Sequence, residues 1–289
     1  MVALACELPA VRQDPLSRYS TGDLARLIAD HPAAPPLSRS TIWRILDRHV
    51  LKPWQYRSWL FPRDPQFAEK AGRVLDLYAG VWEGEPLGPD DCVLSADEKT
   101  SIQARQRRHP SAPPGPGEGQ RVEHEYARGG ALAYLAAWDV RAGGVVGRCE
   151  ATTGKAAFGR LVDQVMAAEP YRSAKRVFWI VDNGSSHRGE AAAAEVVARH
   201  PRVIIVHLPI HASWLNQIEI YFSILQRKVL TPNDFADLAA VEERLTAFAA
   251  LYNDTAVPFD WRFTRADLEA RLADLTPAPP ADTALPEAA

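Results

Sequence analysis

Apolar residues recur at helical spacing through roughly the first eighty positions and at strand spacing after them. Thr21–His31 sets Leu24, Leu27 and Ile28 on one face and predicts a helix. A proline-rich turn, HPAAPPL, follows. Ser38 is then placed to cap a second helix through Val50, with Ile42, Ile45, Leu46 and Val50 as its apolar stripe. Gln66–Trp82 predicts a third helix on Phe67, Ala71, Val74, Leu75 and Tyr78. From Cys92 the pattern changes. CVLSAD (92–97) predicts a first strand and ALAYLAAWD (131–139) a second, apolar enough to be central in a sheet. The turn residues RAGG (141–144) join the second strand to a third, VVGRCE (145–150), as a hairpin. A helix over Ala156–Ala168, a strand RVFWIVD (176–182), a helix over Gly189–Arg199, a strand VIIVH (203–207) and a long helix from Ser213 to Leu230 complete the series.

The order β-β-β-α-β-α-β-α, antiparallel first and crossing over afterwards, predicts an α/β fold of the ribonuclease-H-like kind, a mixed sheet flanked by helices. No glycine-rich phosphate turn follows any strand, so a dinucleotide-binding reading lacks support. At 289 residues the chain has room for about two domains. We read residues 1–60 as an all-α helix-turn-helix module, 61–90 as a linker helix, 91–270 as the ribonuclease-H-like domain and 271–289 as a disordered Pro/Ala-rich tail. No apolar run reaches the ~18 residues a membrane span needs, and no secretory signal opens the chain. Three distant cysteines, Cys6, Cys92 and Cys149, show neither zinc spacing nor an even disulfide count. The expectation is a cytoplasmic, nucleoid-associated protein.

The net charge of −3 hides an uneven distribution. Residues 1–64 hold nine Lys/Arg against six Asp/Glu, whereas 231–289 hold four against eleven. The tail carries the acidity, so the global balance does not exclude a nucleic-acid partner. The outer face of the second helix carries Arg39, Trp43, Arg44 and Arg48, as a recognition helix does; a solvated basic face fits the same pattern. The next segment interleaves Lys52, Arg57 and Arg63 with Trp54, Tyr56, Trp59 and Phe61. It reads either as a DNA-tracking linker or as a hydrophobic strap.

Three carboxylates stand where chemistry gathers in such folds. Asp97 ends the first strand, Asp182 closes the fourth, and Glu219 lies about two turns into the last long helix, beside the stripe Ile218, Phe222, Leu225 and Val229. Buried acids side by side need a positive charge between them, and two divalent cations would supply it while driving phosphodiester chemistry. All-oxygen ligands favour Mg²⁺ or Mn²⁺. Taken singly, Asp182 before Asn-Gly also reads as a turn residue, and Asp97 before Glu98 and Lys99 as part of a solvated charge cluster. A serine hydrolase built on Ser185, Ser186 and His187 lacks its nucleophile elbow, and His187, His207 and His211 lack zinc spacing.

The motifs SADEKTSIQAR (95–105), RVEHEYARGGALAYLAAWDV (121–140), VFWIVDNGSSHRG (177–189) and LPIHASWLNQIEIYFSILQRKVL (208–230) closely resemble the DDE-type transposases of bacterial insertion sequences in the mariner superfamily. STIWRILDRHVLKPWQYRSWLFPRDP resembles the winged-helix part that precedes their catalytic domain. The resemblance implies that Asp97, Asp182 and Glu219 are catalytic and hold two Mg²⁺, with Mn²⁺ able to substitute. It implies that Asn183, His187 and Asn216 support the site. It also implies an endonuclease and strand transferase acting on double-stranded DNA as a homodimer: cleavage at an element end, then attack of the freed 3′-hydroxyl on target DNA. Lys99, Arg105, Arg107 and Arg108, just past the first strand, would meet phosphates alongside Arg39, Arg44, Arg48, Lys52 and Arg57; a solvated loop is the other reading of the first four. Two departures stand out. The interval from Asp182 to Glu219, 36 residues, is slightly long. Relatives carry a further N-terminal helix-turn-helix, so module 1–60 is expected to be incomplete. The alternative from another class is a catalytically idle DNA-binding remnant or repressor of the element.

Overall fold

Short polar residues at helix starts fix the first elements. The computed structural model describes residues 1–31, 34–56, 62, 64–182 and 190–273, and the chain divides into two units, Met1–Leu60 and Phe61–Ala289. The first unit holds α1 (Val2–Ala5), a 3₁₀ turn (Pro9–Arg12), α2 (Thr21–Ala29) and α3 (Arg39–Arg48). Ser20 and Asp23 form a reciprocal capping box on α2, and Ser38 Oγ accepts the Thr41 amide at 3.2 Å to cap α3, as the sequence predicts. Leu24 and Ile28 of α2 close on Ile42 and Leu46 of α3, with Tyr19 and Ala5 completing this small core. Trp54 of the aromatic segment packs against it. No strand occurs among the described residues of this unit, so the winged element expected there is not seen.

The second unit opens with α4 (Phe67–Tyr78) and a small hairpin, β1 (Val81–Trp82) with β2 (Glu85–Pro86). Then follow β3 (Asp91–Arg107), β4 (Tyr126–Asp139), β5 (Val145–Glu150), α5 (Lys155–Met166), β6 (Arg176–Val181), α6 (Glu190–Arg199) and β7 (Val203–His207). A 3₁₀ turn (Ser213–Leu215) precedes α7 (Ile218–Lys228), α8 (Leu238–Asn253) and α9 (Arg265–Ala273). The sheet order is β5-β4-β3-β6-β7: the first three strands run antiparallel, and β6 and β7 join parallel. This is the predicted ribonuclease-H-like order.

Strand alternation divides the core into two layers. One face of the sheet, with Val93, Tyr134, Trp138, Phe178 and Ile180, packs on α4, α7 and α8. The other, with Leu94, Leu135, Trp179 and Val181, packs on α5 and α6. The helix read as a linker over 61–90 is therefore a wall of the second core, because Ala71, Val74, Leu75 and Leu77 are all buried there.

Two boundaries differ in ways that bear on the site. β3 runs to Arg107 and β4 begins at Tyr126, so the expected loop after residue 97 is an antiparallel ribbon projecting past the sheet. Backbone pairing holds it, and its largely polar side chains left little apolar alternation to read. It bulges between Lys99 and Ile102 and again between Gln103 and Arg105. At the second bulge Asn233 bridges the interrupted ladder, accepting from the Arg105 amide at 3.1 Å and donating to the Gln103 carbonyl at 2.7 Å. The helix expected from Ser213 starts properly only at Ile218, which moves Glu219 into its first turn.

Candidate active site

The strand register brings two of the predicted acids together. β3 and β6 pair in parallel as far as Ser95 opposite Ile180. Two residues further on, Asp97 and Asp182 leave this paired stretch side by side, on neighbouring strands ~5 Å apart. Period-two alternation points both toward the face that carries Val93 and Ile180, where α7 lies. Asp97 is thus not at the end of its strand; it stands where the parallel pairing stops, and the rest of β3 continues alongside β4 alone.

Ser95, in the buried middle of β3, fastens α7 to this edge. Its Oγ accepts the Ile218 amide at 2.9 Å and donates to Asn216 Oδ1. Asn216 is itself buried, and its Nδ2 donates to the Ala96 carbonyl and to Asp97 Oδ2, both at 3.2 Å. Tyr78 of α4 donates its hydroxyl to the Leu215 carbonyl at 2.7 Å and pins the turn just before. One residue past Ile218, Glu219 is delivered beside the two aspartates. Asn216, named from its motif as a supporting residue, thus touches Asp97 directly. Ser95 and Tyr78 escaped the sequence reading, although a serine inside the apolar run CVLSA is a usable signal.

Electrostatics record the convergence. Desolvation raises the Asp97 carboxyl to about 7, with the negative charges of Asp182, Glu98 and Glu219 adding to it and the Glu98 amide, donated to Oδ1 at 2.7 Å, opposing it. Glu219 is exposed, yet protein atoms on one side desolvate it enough to lift its carboxyl; the Lys99 ammonium counters this and Asp182 reinforces it. The charge of Asp182 raises the proton affinity of both Asp97 and Glu219, and the three side chains offer only oxygen, the donor a hard divalent cation prefers. Among the described residues, Asp97, Asp182 and Glu219 included, no group of three or more His, Cys, Asp or Glu is placed to hold a metal ion.

The predicted cationic residues are divided by the fold. Arg39, Arg44, Arg48 and Lys52 are exposed on the first unit, with Trp43 half exposed among them on α3. Arg39 also lies over Gly22 of α2. On the ribbon, Arg107 is committed inward: it donates to the carbonyls of Glu123 (2.7 Å), His124 (3.2 Å) and Asn233 (3.0 Å) and stacks on Tyr126. These contacts hold its guanidinium against the ribbon. Arg105 stacks on the other contact of the same ring, at 4.8 Å, and Arg108 is exposed near Glu125. Lys99 has an electrostatic link to Glu219. Arg57, Asn183 and His187 lie outside the described residues, as do residues 274–289 of the expected tail.

No curated protein matches this sequence. Among solved structures the chain is similar to the Mos1 mariner paired-end complex with Mn, at 16% identity and a TM-score of 0.50, covering 82% of this chain and 73% of that one. The same complex with Mg matches at 15% identity and a TM-score of 0.51, covering 83% and 74%. These likenesses establish the shared ribonuclease-H-like fold. A family model described as DDE superfamily endonuclease spans residues 92–242, from the first residues of β3 into α8, and encloses all three carboxylates. The chain belongs to the DDE superfamily of endonucleases.

Proposed function

We propose that this protein is a DNA transposase that cuts phosphodiester bonds at the ends of an insertion sequence and joins the freed 3′-hydroxyl to target DNA. The observation that carries the reading is the meeting of Asp97, Asp182 and Glu219 at the edge where β3 and β6 part, with Asp182 raising the proton affinity of the other two and Glu219 that of Asp97. These carboxylates would hold two Mg²⁺ or Mn²⁺ ions; when bound, such ions activate water at neutral pH and stabilise the leaving oxygen. The similar solved structures contain Mn and Mg, in keeping with an all-oxygen donor set.

The chain's own residues do the rest. Asn216 and the Glu98 amide fix the two oxygens of Asp97, so that its lone pairs face a defined direction. Burial and the neighbouring acids raise the Asp97 carboxyl to about 7, so a cation binding there would compete with a proton. The exposed arginines of α3 would recognise element ends through phosphate and groove contacts. Handling two ends calls for two copies of the chain, a homodimer.

Incubating the purified chain with labelled element-end duplex tests the reading. Metal-dependent nicking in Mn²⁺, absent in EDTA and lost in Asp182→Ala, is expected. Nicking that persists in Asp182→Ala overturns the site, and tight binding with no nicking at any pH from 7 to 9 makes the chain a DNA-binding remnant.

A further inference from the structure

A cleft of about 550 Å³ opens on the second unit between the β3–β4 ribbon and the C-terminal half of α7. Both of its walls start within two helical turns of the carboxylates. On the strand side, Lys99 lines the cleft and lies two residues beyond Asp97, hence on the same face of β3 and ~7 Å along it. On the helix side, Gln226 lines the cleft and lies seven residues beyond Glu219, on the same exposed face of α7 and ~10 Å along it. The groove is therefore a continuation of the acidic site, with Lys99 where the two meet.

The chemistry of the lining is mixed in a particular way. Ile102, Val122, Leu230 and Pro232 give apolar surface, Lys99, Gln226 and Asn233 bring amine and amide groups, and Arg105 and Arg107 outnumber the single carboxylate, Glu123. The β-bulge between Lys99 and Ile102 shapes the strand wall, and Ser101 within it has a φ of 56°, a left-handed backbone that a serine adopts only under constraint. Apolar surface with a few convergent polar groups, at a volume within the ~300–1,000 Å³ range of small-ligand pockets, suits one or two nucleotides and is far too small for duplex. A base can lie against the apolar surface while its phosphate faces Lys99.

We propose that this cleft seats an unpaired nucleotide unit of the DNA strand next to the phosphate held at the three carboxylates. This rests on the transposase reading for its biological substrate, but the cleft itself makes a separate prediction. Gln226 is exposed and its one polar contact among the described residues is to Thr231 Oγ1 at 2.9 Å, so Gln226→Trp partly fills the cleft without disturbing the core. The test is fluorescence anisotropy with a labelled single-stranded oligothymidylate of about eight nucleotides, in EDTA, comparing the wild-type chain, Gln226→Trp, Gln226→Ala and Asp97→Asn. The filled cleft is expected to weaken binding about tenfold or more, with Gln226→Ala milder and Asp97→Asn at or above wild-type affinity. Equal binding by wild type and Gln226→Trp overturns the proposal, and so does equal competition by thymidine monophosphate, which would make the cleft a free-nucleotide site. Nicking of element-end duplex is scored separately: its loss with cleft binding intact removes the transposase reading alone, and its presence without cleft binding removes this proposal alone.

Discussion

Asp97 receives two hydrogen bonds, from Asn216 and the Glu98 amide, and its carboxyl nevertheless rises from 3.8 to about 7. Desolvation beside other acids outweighs both donors. Between those values the folded chain holds a proton the unfolded chain has released. The stabilisation is full below about pH 4 and is lost as pH climbs to about 7. Asp97→Asn cannot ionise, so it should gain on wild type across this interval, reaching ~1–2 kcal/mol above pH 7 after allowance for partial exposure. Urea unfolding in EDTA at pH 5 and pH 8 checks this; equal stability at pH 8 would mean the carboxyl is not desolvated. Adding Mn²⁺ at pH 8 should raise the melting temperature of wild type and leave Asp97→Asn unmoved, and chelation should reverse the rise. The acids were legible because each interrupts or borders an apolar run. Ser95 was not, since its partners Asn216 and Ile218 lie more than a hundred residues away.

Elements were legible where one face is buried and the other is not. VVGRCE and VIIVH form strands over the predicted residues, and Ser38 caps its helix as expected. The β3–β4 ribbon was read as a loop because strand pairing beyond a sheet leaves no hydrophobic signature; its bulge is closed by Asn233, a residue from another segment. The RAGG turn shows the same division. Its turn chemistry is local, and Gly143 has a φ of 78°. Yet a Cβ there would sit 2.2 Å from the Val257 carbonyl carbon, which no local pattern reveals. Gly143→Ala should therefore cost about 3 kcal/mol or more in chemical denaturation. Gly117, with a φ of 77° and open space around it, should cost only about 1 kcal/mol on the same substitution. Similar losses at the two sites would remove the Val257 contact as the cause.

For the molecule as a whole, the position of positive charge matters more than its sum. Arg48, exposed on α3, and Arg107, half-buried and bonded to loop carbonyls, looked alike in sequence. Titrating duplex binding against salt should separate them. Arg48→Ala is expected to lower the slope of log K against log salt by about 1, and Arg107→Ala to leave the slope alone while lowering the melting temperature. A full loss of slope in Arg107→Ala would restore it as a phosphate contact. Among the described residues no helix is long and apolar enough to cross a membrane. The sequence by itself determined the alternation of strands and helices and singled out three candidate acids, because hydrophobic periodicity and strand-ending charges are local properties. Only the tertiary structure decided that Asp97 stands beside Asp182, that Ser95 and Asn216 bind Glu219's helix to them, and that a cleft leads away from the three. Those facts depend on strand register and on hydrogen bonds between distant segments, and chain order leaves both open until the core closes.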